Sequence, residues 1–342
     1  MAYFDGAFDF LGLREWCDSD KASGPVSMAD LLAKARGKSD TPWWDIPFPS
    51  LDVLNKSCNA LGQSRDLTSA VENGFLAVKD GLKFLLDPIT QPLSWMLDGA
   101  LWLFAAIPWF VLVPLILIGV YMASRALGVT VFVGATFILL LFIDHYDASI
   151  QTLSIIFVCT VLSVLIGVPV GIAMSKNDGF QRAMIPVLDM LQTLPSFVYL
   201  IPLIFLFSVT ESKLYGIAII LYAIVPVIRL TDLGIRLVDK EVIEAADAFG
   251  MSSRQKLFGV EIPLALPNIM AGVNQTIMMA LAMVVIASLV SAPGLGVLVL
   301  RGIRNLELGV GLISGFAIVL LAVILDRVSK ASLARINTAQ NQ

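Results

Sequence analysis

Few residues in this chain are suited to covalent chemistry. His145 is the one histidine among 342 residues, so a histidine-centred acid–base or metal site has no second member of its kind. Cys17, Cys58 and Cys159 show neither CxxC nor Cys/His spacing, and three cysteines do not make a disulfide scaffold. A pairing of Cys17 with Cys58 outside the cell stays open, since sequence does not give their separation. The string Arg36-Gly37-Lys38-Ser39 imitates the end of a phosphate-binding loop, but Leu32 stands where its first glycine is required. No nucleotide site is expected in this chain, and no catalytic residue or metal ligand stands out.

What does have a purposeful spacing is the stretch "IEAADAFGMSSRQKLFGVEIPLALP", residues 243–267, polar for its first half inside a very apolar chain. Asp239 is placed to cap a helix whose first turn holds Glu241. Val242, Ala245, Ala246 and Phe249 fall on one helical face. Gly250 ends the helix because it accepts the left-handed conformation. Ser252 with Gln255 then forms a capping box for a second short helix through Phe258, and Pro263 and Pro267 lead into the next apolar run. A merely solvated loop needs neither two caps nor an apolar stripe. The chemistry this spacing offers is docking: a shallow alanine face, an aromatic anchor, and the carboxylates Glu241, Glu244 and Asp247 for basic side chains of a partner.

The elements that position this segment are membrane helices. The chain is 57% hydrophobic and 15% charged, against roughly 45–50% and about 25% for an average soluble domain. Its net charge of −4 offers no basic surface for nucleic acid. Spans are expected at 100–123, 126–143, 149–175, 184–209, 213–231, 264–290 and 308–328, each near the roughly 20 residues a bilayer requires. This predicts an all-α polytopic membrane protein of about seven transmembrane helices. Eleven Lys/Arg residues fall on one side of these spans, and only Lys213, Arg301 and Arg304 fall in the opposite short loops. The first side is therefore cytoplasmic, which puts 239–260 and a C-terminal tail at 331–342 inside and the N-terminus outside. Residues 1–98, with 9 Lys/Arg and 14 Asp/Glu, read as a polar tail ahead of a membrane unit at 99–330. Within the tail, Val71, Phe75, Val78, Leu82, Leu85, Leu86 and Ile89 predict an amphipathic helix over about 70–87. Ser69 and Glu72 would start it and Pro88 would stop it. Such a helix either lies in the membrane surface or packs on protein.

Inside the spans, Gly167/Gly171 and Gly311/Gly315 offer small faces for close packing. "QTLPSFVY" and "NQTIMMALAM" place Gln192, Thr193, Phe197, Tyr199, Asn274, Gln275 and Met278 at membrane depth. Polar groups there face protein or a cavity rather than lipid, and aromatic faces attract quaternary ammonium cations. These residues either line a path or hydrogen-bond between helices. Asp189 reads as a paired carboxylate near the membrane surface.

Glu244-Ala245-Ala246-x-x-x-Gly250, nine residues, then Val260-x-Ile262-Pro263 resembles the EAA loop of type I ABC importer permeases. Val and Ile occupy the usual Ile and Leu places. "LDMLQTLPSFVYLIPLIFLF", "PLALPNIMAGVNQTIMMALAMVVIASLV" and "VLRGI" resemble the permeases of glycine betaine/proline betaine importers over about residues 85–330. "APGLG" stands where that family has "GGLG". The resemblance implies a homodimer, two copies of a cytoplasmic ATPase that binds the ATP and magnesium, and a periplasmic or lipid-tethered substrate-binding protein. It also implies a bacterial inner-membrane location. Glu244, Ala245, Ala246, Phe249, Gly250 and Pro263 would then meet the ATPase. Cargo would be glycine betaine, proline betaine, choline or trimethylamine N-oxide. An amino acid such as methionine, or an ion-driven secondary carrier, is the alternative.

Overall fold

The computed structural model describes Phe4, Phe8, residues 10–13, Cys17, residues 48–58 and residues 60–340; the 36–39 string lies outside them. The described residues are helical, without strands. The chain divides into two compact units, residues 1–81 and 82–342; this division and the boundary expected at 98/99 both fall inside one helix, Ser64–Ala106.

In the first unit Cys17 and Cys58 form a disulfide. Helix α1 (Leu51–Ser57) precedes α2 (Ser64–Ala106). Helix α2 begins earlier than expected because Asp52 takes both the Ser64 N–H, at 2.9 Å, and its hydroxyl, at 2.6 Å. Ser69 lies inside α2 and donates to the Asp66 carbonyl, so it caps nothing. Nor does α2 stop at Pro88; it continues through Pro88 and Pro92 for 43 residues. Each internal proline forfeits a backbone hydrogen bond. Both sit on the exposed side, while the opposite side is held at the far end of the second unit. There Leu93 and Leu97 pack against Gly216, the Lys213 N–H donates to Ser94, and the Ser212 hydroxyl donates to Asp98. Of the predicted apolar stripe, Leu86 turns to the core, whereas Val71, Val78, Leu82, Leu85 and Ile89 remain exposed. That uncovered side is what a membrane-surface helix requires.

The second unit continues with α3 (Trp109–Ser124), α4 (Leu127–Phe142), α5 (Tyr146–Lys176), α6 (Asp178–Thr193), α7 (Leu200–Leu206) and α8 (Ser212–Arg236). It ends with α9 (Lys240–Ala248), α10 (Ser253–Lys256), α11 (Ile262–Ala287), α12 (Leu295–Arg304) and α13 (Leu308–Gln340). By length and composition, four helical segments are able to cross a membrane unaided: Tyr146–Lys176, Ser212–Arg236, Ser253–Val290 and Leu308–Arg335. Two more of the expected spans are bent pairs, and α4 is a 16-residue apolar helix. The span expected at 100–123 is one of the bent pairs, turned by 113° between α2 and α3. Pro108 explains this break: it lacks an N–H and pushes Ile107 out of the helical region. The second bend, 103°, separates α6 from the short helices after Pro195.

Helices α5, α8 and α11 make the core. A Cβ on Gly167 would stand 2.5 Å from a Val227 methyl, and one on Gly171 would stand 2.6 Å from Thr231. That close approach is what the first glycine pair provides. Gly311 meets Gly302 of α12, whereas Gly315 meets nothing within 4 Å, so the second pair works through one member.

Candidate functional site

The 239–262 segment is built by local chemistry. Asp239 accepts from the Glu241 N–H at 2.9 Å and starts α9. At its other end Gly250 has φ 74°. The Met251 N–H reaches the Ala246 carbonyl at 3.1 Å and the Gly250 N–H reaches that of Asp247 at 2.9 Å, the paired closure of a Schellman motif. Ser252 and Gln255 form a reciprocal capping box. Lys256 bridges back to Asp247 at 2.6 and 2.9 Å, which locks the two arms together.

The faces of α9 differ from expectation in one respect. Ala246 is 5% exposed and is turned into its own chain, and Ile243 packs on Ile235, Val238, Ala265 and Ile269. The outward face is Val242, Ala245 and Phe249, with Phe249 86% exposed; Glu244 is exposed beside it. The second arm does not stop at Phe258. It passes through a π turn, Leu257–Glu261, directly into α11. Pro263 has no N–H to give the Gly259 carbonyl, and the widened turn just before it absorbs that loss. Phe258 is exposed on this turn, close in sequence to Phe249.

Glu261, which sequence reading passed over, is buried in the π turn and pairs with Lys176 at the end of α5. The only signal for it was one carboxylate beside a proline at the mouth of an apolar run. More ties gather at this end of the bundle. Arg236 holds Asp178 at 2.8 Å, Asp232 at 2.9 Å and the Met174 carbonyl at 2.8 Å. Gln181 donates to Asp232 at 2.6 Å, and Asp189 pairs with Arg229. At the opposite end Lys213 is buried against Asp87 and Glu211, each at 2.7 Å, and above the Phe207 ring.

The residues expected at membrane depth separate into two groups. The turn Ser196–Tyr199 touches α11, the helix that carries the second polar stretch. Gln192, Thr193, Phe197 and Gln275 are exposed in this chain, and Met278 is partly so. Tyr199 is buried and its hydroxyl donates to the Leu191 carbonyl, which closes the end of α6. Asn274 accepts from Ser329 of α13 at 2.7 Å, an interhelical bond. Among the described residues, no cluster of His, Cys, Asp and Glu is arranged for a metal ion.

A family model described as the binding-protein-dependent transport system inner membrane component matches residues 163–338. The chain is 38% identical over 258 residues to the glycine betaine transport system permease protein OpuAB of Bacillus subtilis, covering 75% of this chain and 86% of that protein. It is 39% identical over 263 residues to the glycine betaine/proline betaine transport system permease protein ProW of Escherichia coli, covering 75% and 70%. It is 37% identical over 257 residues to the trimethylamine N-oxide transport system permease protein TmoV of Ruegeria pomeroyi, covering 74% and 38%. In fold it is similar to a chain of the MetNI methionine ABC transporter in inward-facing conformations. The TM-score is 0.51 at 19% identity, covering 56% of this chain and 95% of that chain.

Proposed function

This chain belongs to the family of binding-protein-dependent transport system inner membrane components, and from that premise we propose that it is the permease subunit of an ATP-driven importer for small methylated amines. Glycine betaine is the first cargo, with proline betaine, trimethylamine N-oxide and choline as neighbours; the relatives' names support the first three. The observation that carries the mechanism is the outward face of α9, an uncovered Val242–Ala245–Phe249 stripe on a doubly capped helical hairpin.

In this reading two copies of the chain form the path. Each α9 docks in one of two ATPase subunits, which bind the ATP and magnesium, and a periplasmic or lipid-tethered binding protein delivers cargo. The membrane is the bacterial cytoplasmic one, with α9 and the C-terminus inside and the N-terminal residues outside. ATPase closure shifts the bundle because the docked hairpin fits the two ATPase conformations unequally, and only differential binding moves an equilibrium. The hairpin is stiff enough to transmit that difference: two caps, the Lys256–Asp247 bridge and a helix continuous into α11 leave no slack hinge.

Co-purification tests the partnership, and labelled glycine betaine uptake tests the cargo. Gly250→Pro and Glu244→Arg are expected to cut uptake at least tenfold while the protein still inserts in the membrane and the ATPase still hydrolyses ATP. Normal uptake in both variants removes α9 from the mechanism. A purified complex that takes up methionine and ignores betaine removes the cargo assignment alone.

A further inference from the structure

One cavity of the 82–342 unit is lined in a way that neither the hairpin nor the polar stretches explain. A cleft of about 460 Å³ opens where α2 ends and α3 begins, lined in part by Phe104, Trp109, Tyr146, Asp147 and Gln151. Its size is within the range of small-ligand sites. The Pro108 break creates it: without the 113° turn, Trp109 would continue along α2 and not form a wall with the start of α5. Tyr146 is partly buried, and its hydroxyl oxygen is fully buried, so the part of this side chain that is exposed is its ring.

A methylated ammonium has no N–H to donate. Proteins hold it by aromatic faces and a nearby negative charge, and three rings with one carboxylate are that set. We propose that this cleft binds a quaternary ammonium group. Phe104, Trp109 and Tyr146 take its methyl face, and Asp147 supplies the counter-charge. A free solute and the choline headgroup of a lipid present the same cation. The lining shares no residue with the 192–199 and 274–283 stretches, so the cleft is a second site beside the path and stands independently of the cargo assignment.

The test uses the full chain in complex with its ATPase, in detergent free of choline lipids. Calorimetry follows titration with choline, tetramethylammonium, and 3,3-dimethylbutan-1-ol, the neutral isostere of choline. Choline and tetramethylammonium are both expected to bind saturably, with the isostere at least tenfold weaker than choline. Trp109→Leu and Asp147→Asn should each weaken choline tenfold or more, while Trp109→Phe, which keeps a ring, should retain most of the affinity. Equal binding of choline and its isostere overturns the proposal, and so does unchanged affinity in both Trp109→Leu and Asp147→Asn. Bilayer discs then identify the source. Choline affinity that falls in phosphatidylcholine discs but not in phosphatidylglycerol discs assigns the cleft to a lipid headgroup; equal affinity in both assigns it to a free solute. Uptake assays report on the path and leave this outcome untouched, so the two readings fail separately.

Discussion

Glu261 is a carboxylate held at 2% exposure between two helices, and Lys176 is its counter-charge. Removing the lysine leaves that charge buried and unpaired, which in a fully buried pair costs about 3–5 kcal/mol. The lysine end is 45% exposed, so a loss of about 2 kcal/mol is the scaled expectation for Lys176→Met. The exchange Lys176→Glu with Glu261→Lys should recover most of it. Thermal unfolding of the purified chain in detergent measures both, and a single variant that melts like the parent would show the pair to be incidental. This residue was illegible beforehand because its partner lies 85 positions away. Gly250, Ser252 and Gln255 were legible for the opposite reason: their partners are three to five residues distant, so local rules decide them. Ala246 was read onto the outward stripe and is turned inward instead, an orientation that periodicity leaves ambiguous when a short helix has apolar residues on two sides.

Among the helices, the same contrast separates signal from context. Proline at 108 and 195 ended helices as their chemistry demands, while Pro88 and Pro92 did not, because the packing of Leu93 and Leu97 on Gly216 and the bonds from Ser212 and Lys213 outweigh two missing backbone bonds. Small-residue pairs are likewise decided by what crosses them. Gly167→Val forces a side chain into the 2.5 Å gap to Val227, and overpacking of this kind costs typically 1–3 kcal/mol or more. Gly315→Ala adds a methyl where nothing lies within 4 Å and should stay within about 0.5 kcal/mol of the parent. Chemical unfolding of the two variants side by side decides between packing as drawn and a different pairing of α5 and α8; equal losses would favour the latter.

For the molecule as a whole, composition was sufficient for class, since hydropathy acts over dozens of residues at once, and the basic-residue bias supplies the orientation we propose. The Cys17–Cys58 bond adds a compartment argument, because disulfides persist where the surroundings are oxidising. With the N-terminal residues outside, an impermeant reductant followed by an impermeant maleimide should label Cys17 and Cys58 on intact cells and leave buried Cys159 unlabelled. Absence of labelling until the cells are opened would place that tail inside and reverse the orientation. The π turn at Leu257–Glu261 has a consequence of its own. It holds one residue more than ordinary winding needs, and each residue of an α-helix rotates the chain by about 100°. The length of that turn therefore sets the compass bearing at which Phe249 is presented beneath the membrane. A chain one residue shorter there would keep every helix and every cap, yet aim them past the motor we propose they meet.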